Sequence, residues 1–248
     1  MKNSSSHLDL IVPVRSLMDG KQRLRDILNA DQRQELNRWF LQRLLGIGRQ
    51  LPNLRRMWVV SACDHTLRLA TDCGAYPIKE PDFEGAAQFP ESRLNSALSF
   101  ALLEARRKLA GDILVVSVDL PLAQADDLDR LCELGAASDG KQHCAIATDK
   151  TGHGTNAIFI PREGMLDFSY GADSCQRHAA SARRHGMKAH VARIVNLACD
   201  IDTPQDYAGW RGAPAIPSNA ITHIGTPKNA RTLPLRLASR HPCRLHPG

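Results

Sequence analysis

One buried-strand pattern limits the fold of this chain more than any other feature. Residues 113–118 are apolar apart from Ser117 and rich in β-branched side chains, which is typical of a buried strand. The run ends at Asp119, and Pro121 cannot extend a hydrogen-bonded ladder. In an open α/β sheet, ligands bind beyond the carboxyl ends of the strands, so we expect Asp119 to face such a crevice.

Similar apolar runs alternate with helical patterns along the rest of the chain. Helices are predicted to begin at Asn29 and at Thr203-Pro204, with others between the strand runs. This alternation predicts an α/β fold with three layers and a mostly parallel sheet. The further strands are predicted at residues 8–14, 57–61, 76–79, 144–148, 156–160 and 191–195.

The excess positive charge is confined to the C-terminus. The 248-residue chain has 32 Lys and Arg against 26 Asp and Glu. Six of these bases and no acid follow Trp210, so 32 − 6 = 26 bases balance 26 acids before it. We therefore predict one α/β domain at residues 1–210 and an irregular, basic, proline-containing extension at residues 211–248. A neutral domain does not favour nucleic acid as a partner.

The composition predicts a cytoplasmic protein. No apolar run approaches the roughly 20 residues that span a bilayer, so no membrane partner is expected. The seven cysteines include no Cys-x-x-Cys pair, and their number is odd. This pattern suits reduced, small apolar side chains better than a zinc cluster or a disulfide framework.

A basic loop follows the first predicted strand. Arg15, Lys21, Arg23 and Arg25 lie within eleven positions. At the carboxyl end of a strand, lysine as a point charge and arginine as a bidentate clamp would hold phosphates. The alternative is a solvated basic turn without a ligand.

A pair of acids near the end of the predicted domain indicates a cation site. Asp200 and Asp202 flank Ile201, which places both carboxylates on one side of an extended segment. Their repulsion would be relieved by a divalent cation shared with Asp119, and hard carboxylate oxygens suit magnesium. In the alternative, Asp119 and Asp202 only cap the helices that follow them.

Two glycine-containing turns are further candidates for ligand contact. Residues 152–156 (Gly-His-Gly-Thr-Asn) would bring backbone amides close to a ligand. Residues 169–174 precede a predicted helix, whose N-terminus is a ready anion site. The alternatives are an ordinary turn, and a helix capped by Asp173 or Ser174.

Taken in order, these fragments resemble one family. It comprises the guanylyltransferases that activate a small phosphorylated carboxylic acid for biosynthesis of the deazaflavin coenzyme F-420, and its fold is that of nucleotide-diphospho-sugar transferases. The resemblance covers about residues 8–207. It rests on Ile11-Val12-Pro13-Val14, Lys21-x-Arg23-Leu24, Leu94-Asn95-x-Ala97-Leu98, Asp119-Leu120-Pro121-Leu122, Gly154-Thr155-Asn156, Gly171-x-x-Ser174-x-x-x-His178 and Asp200-Ile201-Asp202-Thr203-Pro204.

The resemblance implies a GTP-dependent transfer of GMP that releases pyrophosphate and uses magnesium. The implied acceptors are 2-phospho-L-lactate, phosphoenolpyruvate and 3-phospho-D-glycerate, and a homodimer is left open. The implied catalytic residues are Lys21, Arg23, Asp119 and Asp202. The implied ligand contacts are Pro13, Val14, Arg15, Lys21, Asn95 and Asp119 for the nucleotide, Thr155, Gly171 and Ser174 for the acceptor, and Asp119, Asp200 and Asp202 for the metal.

Three features depart from the family pattern. Arg15 replaces the usual lysine, and Arg93 replaces the glycine before the Leu-Asn pair. The turn at residues 169–174, the acceptor turn, has Ala172 and Asp173 where the family usually has Pro-Gly. These differences favour a less common acceptor such as 3-phospho-D-glycerate. Two alternatives stay open: a molybdopterin or sugar-phosphate nucleotidyltransferase, and a non-catalytic protein that binds nucleotide or RNA.

Overall fold

A seven-stranded sheet organises the molecule, and the α/β prediction is confirmed. The computed structural model describes residues 7–82, 90–136 and 141–210. Most strands are short apolar runs of four to eight residues. They are β1 (Leu8–Pro13), β2 (Leu54–Ser61), β3 (Tyr76–Lys79), β4 (Asp112–Val116), β5 (His143–Thr148), β6 (Thr155–Ile160) and β7 (Lys188–Ala192).

Helices connect most of these strands. The longest, α1 (Ala30–Gly48), is capped at its N-terminus by a reciprocal pair of hydrogen bonds between Asn29 and Gln32. The predicted helix start at Asn29 is therefore confirmed. The others are α2 (Asp64–Asp72), α3 (Pro90–Arg107), α4 (Ala125–Gly135), α5 (Ser174–Arg184) and α6 (Pro204–Trp210), with α1 at Ala30–Gly48 and a 3₁₀ helix at Gln22–Leu24.

The strands lie in the order β3-β2-β1-β4-β6-β5-β7. Strand β6 is antiparallel to both of its neighbours, and the remaining pairs are parallel. The prediction of a mostly parallel sheet is therefore confirmed. As a result, the carboxyl ends of β3, β2, β1 and β4 meet the amino end of β6 along one edge of the sheet.

Helices cover both faces of the sheet, as predicted. Leu114 and Val116 of β4 face a core that includes α1, α2 and α4, whereas Ile113 and Val115 face α3 and α5. A third, smaller cluster joins the 3₁₀ helix and α1 to residue Ile201 and α6. This cluster positions the segment at 200–202 against the basic loop at residues 15–25.

One predicted strand is displaced. Strand β7 ends at Ala192, whereas the sequence pattern placed it near residues 191–195. Its register is set by pairing with β5, in which His143 faces Lys188 and Ala147 faces Ala192. The apolar side chain of Val195 that suggested a longer strand is exposed. Asp200 therefore follows a seven-residue connection instead of following a strand directly.

The predicted extension at residues 211–248 lies outside the described residues. Within 7–82, 90–136 and 141–210, no helix has both the length and the apolar character required to cross a bilayer.

Two glycine substitutions test the packing of the helices. A methyl group added at Gly135 would lie 2.0 Å from Phe159 Cδ1, whereas Gly46 in α1 has open space around the same position. We expect Gly135→Ala to lower the free energy of unfolding by about 1–3 kcal/mol through overpacking. Gly46→Ala is expected to raise it by about 0.5–1 kcal/mol. Urea unfolding measures both, and similar effects at the two positions would contradict this packing.

Candidate active site

The two acidic segments that are distant in sequence meet at the carboxyl edge of the sheet. The backbone N–H of Ile201 donates a hydrogen bond to the carbonyl oxygen of Asp119 at 3.2 Å. The side chain of Ile201 is buried in the cluster that also contains Phe40 and Trp210. The backbone contact and the apolar anchor together hold Asp200 and Asp202 beside Asp119.

Lys21 lies between two of these carboxylates. Its Nζ is 2.5 Å from Asp119 Oδ2 and 2.9 Å from Asp202 Oδ1. The Lys21 side chain is 9% exposed, and its ammonium lies 5.9 Å from the centre of the Phe40 ring. Burial alone would lower the pKa of Lys21, but Asp119 and Asp202 outweigh burial and raise it above its ordinary value. Lys21 is therefore a buried, charged ammonium.

The backbone of Lys21 is in the left-handed conformation, with φ 57° and ψ 40°. For a non-glycine residue this region costs of order 1 kcal/mol, so it persists where surrounding contacts stabilise it. Here the two ion pairs of the Lys21 side chain provide such contacts. The turn aims the side chain away from solvent and toward the acids.

The other basic residues of the loop contribute less to this cluster. Arg23 lies 3.8 Å from Asp202 Oδ2 but is largely exposed. Arg15 is also exposed, and its carbonyl oxygen accepts a hydrogen bond from the Ser61 hydroxyl. Val14 is buried, and its N–H extends the ladder beyond Pro13 by donating to Val60. Pro13 and Val14 thus set the start of the loop, while Arg15 and Arg23 are accessible from solvent.

Asp200 has a different environment from the other two acids. Burial, followed by the charges of Asp119 and Asp202, raises the pKa of Asp200 to about 6. Asn156 Nδ2 lies 3.5 Å from Asp200 Oδ1 and donates a shorter bond to the Leu197 carbonyl. The ionisation of Asp200 is thus opposed first by burial and then by the two neighbouring carboxylates.

The three acids do not form a metal cage by themselves. In the part of the chain that the structure describes, no group of three or more His, Cys, Asp or Glu side chains is arranged to hold a metal ion. Instead, the ammonium of Lys21 lies between Asp119 and Asp202. The predicted metal role of Asp119, Asp200 and Asp202 therefore stays a prediction.

The proposed capping roles of Asp119 and Asp202 are not borne out. The Asp119 carboxylate bonds to Lys21. At the start of α6, Thr203 Oγ1 accepts from the Asp206 N–H at 3.2 Å, and Asp206 Oδ2 accepts from the Thr203 N–H at 2.8 Å. Thr203 is therefore the cap, which leaves Asp202 free to face Lys21.

Sequence reasoning missed the role of Asp206. Its buried carboxylate also accepts from the backbone N–H of Asp202 and pairs with Lys150. These contacts fix the turn that presents Asp202. The signal was present, because Thr203-Pro204-Gln205-Asp206 places an acid three residues after a threonine, the spacing of a capping box.

Two predicted acceptor-binding residues come together at the amino end of β6. Ser174 Oγ lies 3.3 Å from Thr155 Oγ1. His178 Nε2 accepts from the Ser169 N–H, so Nδ1 carries the proton and donates to Thr155 at 3.0 Å. Burial, with the charge of Arg177, lowers the pKa of His178 to about 4. A neutral His178 therefore orients Thr155, a role that the sequence pattern did not assign.

The turn before α5 has a glycine at position 171 because its backbone conformation there requires one. Gly171 has φ 114°, a conformation that side chains other than glycine rarely adopt, and its carbonyl accepts from the Ser174 N–H. Asp173 is at the N-cap position of α5 but makes no capping hydrogen bond. Instead, its carboxylate lies 2.9 Å from His153 Nδ1. Asp173 thus takes the N-cap position that the sequence offered as an alternative, but its side chain pairs with the other glycine-containing turn and does not cap the helix.

Asn95 joins α3 to the acceptor turn. Its Oδ1 accepts from the Tyr170 N–H at 2.7 Å, and its Nδ2 lies 3.4 Å from the Tyr170 carbonyl. Because the side-chain oxygen and nitrogen of Asn95 both contact the backbone of Tyr170, Asn95 fixes the turn relative to α3. A contact between Asn95 and the nucleoside stays a prediction.

Comparison with known proteins identifies the family. The family model described as "Guanylyl transferase CofC like" matches residues 8–209. The chain belongs to this guanylyltransferase family. It is therefore a nucleotidyltransferase, and the alternative of a non-catalytic nucleotide- or RNA-binding protein is not supported.

Similar proteins agree with this assignment. A phosphoenolpyruvate guanylyltransferase of Roseiflexus castenholzii is 34% identical, covering 93% of this chain and 97% of the relative. A phosphoenolpyruvate guanylyltransferase of Conexibacter woesei is 32% identical, covering 81% of this chain and 86% of the relative. A 3-phospho-D-glycerate guanylyltransferase of Phenylobacterium zucineum is 29% identical over 80% and 87%. None of these three is named for molybdopterin or a sugar phosphate.

Solved structures support the predicted fold type. A Desulfovibrio desulfuricans G20 protein described as a nucleotide-diphospho-sugar transferase superposes with a TM-score of 0.64 at 16% identity, covering 83% of this chain and 86% of that one. A CMP:2-keto-3-deoxy-manno-octonic acid synthetase superposes with a TM-score of 0.52 at 12% identity, covering 82% and 96%. At these identities, the likeness establishes the fold alone.

The raised pKa of Asp200 can be tested by measuring the free energy of unfolding at two pH values. The folded-state value of about 6 exceeds the value of about 3.9 in an unfolded chain, so this group makes stability fall as pH rises from about 4 to 6. Without divalent ions, we expect Asp200→Asn to raise the free energy of unfolding by about 1–3 kcal/mol at pH 7 and to change it little at pH 4. The exposed control Asp126→Asn should show no such gain. An equal effect of Asp200→Asn at both pH values would contradict the assignment.

Proposed function

We propose that this enzyme joins the GMP part of GTP to the phosphate of a small phosphorylated carboxylic acid and releases pyrophosphate. The acceptor is 3-phospho-D-glycerate, 2-phospho-L-lactate or phosphoenolpyruvate, and the product enters biosynthesis of the deazaflavin coenzyme F-420. The reaction would occur in the cytoplasm. The observation that carries the proposal is the buried Lys21 ammonium held by Asp119 and Asp202 at the edge of the sheet where Thr155 of β6 contacts Ser174 of α5.

The reaction is an in-line displacement at the α-phosphorus of GTP. An oxygen of the acceptor phosphate forms the new P–O bond, and the bond between the α-phosphorus and the oxygen bridging to the β-phosphorus breaks. The electron pair of that bond leaves with pyrophosphate. Because a phosphate dianion is already a nucleophile, no strong general base is required. Positioning and charge neutralisation would dominate the catalysis.

Lys21 is suited to the charge that this displacement moves. An ammonium group has three donors, and two of those of Lys21 are directed at Asp119 and Asp202. The third would donate to a phosphate oxygen of the nucleotide. The exposed guanidinium of Arg23 would approach the β- and γ-phosphates from solvent, where a bidentate contact is favourable. Arg15 would contribute in the same way from the start of the loop.

The acidic residues fit a magnesium ion that arrives with the nucleotide. Magnesium in such sites is bound by one or two carboxylates together with phosphates and water, so a complete protein cage is not needed. Burial, followed by the charges of Asp119 and Asp202, raises the pKa of Asp200, and a cation bound beside these acids would favour its ionised form. When bound, the metal would neutralise charge on the phosphates. Lys21 would keep Asp119 and Asp202 oriented toward it.

The acceptor would bind in the turn at the amino end of α5. Thr155, Gly171 and Ser174 are the residues that the family resemblance assigns to it, and the contacts among them support one shared subsite. The contact with His153 Nδ1 directs the Asp173 carboxylate toward the other glycine-containing turn, which would reduce its repulsion of an anionic acid. This contact is compatible with the departure of the acceptor turn from the usual family sequence.

Asp119→Asn tests the mechanism. The change keeps the shape of the side chain but removes the charge that orients Lys21, so we expect turnover of GTP with the acceptor to fall by about 100-fold or more. The matched control is Asp167→Asn, whose exposed carboxylate pairs with Arg184 in the last turn of α5, at the opposite end of that helix from Ser174. Pyrophosphate release measures both variants. Near-normal turnover of the Asp119 variant would remove this residue from the mechanism.

A substrate comparison tests the reaction itself. Each nucleoside triphosphate is incubated with magnesium and, in turn, each of the three acids, a sugar phosphate and molybdopterin. We expect pyrophosphate release with GTP and one of the three acids, and a guanosine diphosphate adduct of that acid by mass spectrometry. Release only with a sugar phosphate or molybdopterin would contradict the proposal.

A further inference from the structure

A buried carboxylate lies at the same edge of the sheet but outside the cluster around Lys21. Glu80 follows β3 directly, and its side chain is 8% exposed. Arg93, in the first turn of α3, donates from Nε to Glu80 Oε2 at 3.0 Å. Among the described residues, none donates a hydrogen bond to the other oxygen, Oε1. A carboxylate held through one oxygen has acceptor capacity left for a ligand.

The position of Glu80 in the sheet relates it to the basic loop. Pro13, Val60 and Ile78 stand in one row across β1, β2 and β3. Beyond that row, the Glu80 N–H donates to the Ser61 carbonyl, and the Ser61 hydroxyl donates to the Arg15 carbonyl. Neighbouring strands are about 4.8 Å apart, so Glu80 is roughly 10 Å from the end of β1.

The proposed reaction gives the nucleotide a direction along this edge. The acceptor turn lies on the β6 side of β4. Lys21 and Asp119, which would contact the phosphates, lie near the carboxyl ends of β1 and β4. An attacking acceptor and a leaving pyrophosphate occupy the space around the α-phosphorus. The nucleoside would therefore extend away from β6, over β1 and β2 toward β3. Two strand spacings suit the reach of a ribose and a base.

Glu80 has the chemistry to recognise one base. Guanine presents two neighbouring donors, N1–H and the 2-amino group, which a single carboxylate accepts together. Adenine presents an acceptor at N1, which would face the carboxylate unfavourably. Inosine keeps N1–H but lacks the 2-amino donor. A site built to pair with a donor discriminates strongly against an analogue that lacks it.

We propose that Glu80, oriented by Arg93, is the residue that selects guanine in the nucleotide substrate. The proposal rests on the proposed function, since it assumes that a nucleoside triphosphate binds over the basic loop. It also gives a role to Arg93, which stands where the related family usually has glycine. Arg93 donates a hydrogen bond to one carboxylate oxygen and so fixes the orientation of the Glu80 side chain. Arg93 is thus a positioning residue.

Nucleotide binding by Glu80→Gln tests this proposal without an acceptor. Isothermal titration calorimetry with magnesium compares GTP, ITP and ATP. We expect the wild-type chain to bind GTP about 10-fold or more tighter than ITP, because a hydrogen bond to a charged group is lost. In Glu80→Gln, GTP should bind about 10-fold or more weakly and its preference over ITP should largely vanish. An unchanged ratio of GTP to ITP affinity would overturn the proposal.

Two controls separate this role from a structural one. Glu104→Gln makes the same change in an ion pair with Arg107 on helix α3, and it should bind all three nucleotides like the wild type. The wild-type chain is also titrated with 1-methyl-GTP, in which one of the two donors is blocked. This analogue should bind about 10-fold or more weakly than GTP. Equal binding of GTP and 1-methyl-GTP would overturn the assignment even if Glu80→Gln did not fold.

The outcomes distinguish the two proposals. A wild-type chain that binds GTP and transfers GMP, but whose Glu80→Gln variant keeps its base preference, contradicts only the role of Glu80. A wild-type chain that binds no nucleoside triphosphate contradicts the proposed function, and the role of Glu80 with it.

Discussion

The ion pairs of Lys21 with Asp119 and Asp202 connect every part of the proposed site. Two carboxylates this close to each other repel, and the buried ammonium offsets that repulsion. Removing one partner of a buried pair leaves an uncompensated charge, so the three groups depend on one another. The left-handed turn at Lys21, the backbone contact from Ile201 to Asp119 and the buried carboxylate of Asp206 all serve this arrangement.

The reversed strand β6 explains why the proposed acceptor residues lie at the same edge of the sheet as the proposed phosphate-binding residues. Because β6 runs antiparallel to β4, its first residue, Thr155, is at the edge where Asp119 follows β4. Helix α5 then begins at the same edge, and Ser174 and His178 both contact Thr155. One change of strand direction thus brings the proposed acceptor subsite against the proposed nucleotide subsite.

The sequence predicted the features that depend on local residue patterns and missed those that depend on tertiary contacts. The apolar run before Asp119 and the Asp-Ile-Asp segment were sufficient to predict that distant acids meet, because buried strands and strand ends have clear signatures. The same reasoning placed β7 too late, since the pairing with β5 sets its bounds. It also did not predict that the Lys21 ammonium lies between Asp119 and Asp202, and the divalent cation expected at these acids stays a prediction. Whether an ammonium or a metal balances two acids is decided by tertiary contacts.

A double-mutant cycle between Lys21 and Asp119 tests the central interaction most directly. The free energies of unfolding are measured for the wild type, Lys21→Met, Asp119→Asn and the double variant, without nucleotide or metal. If the ion pair organises the site, the two substitutions are non-additive, with a coupling energy of about 1–3 kcal/mol. Additivity within about 0.3 kcal/mol would show that the two residues do not interact, and it would contradict the account.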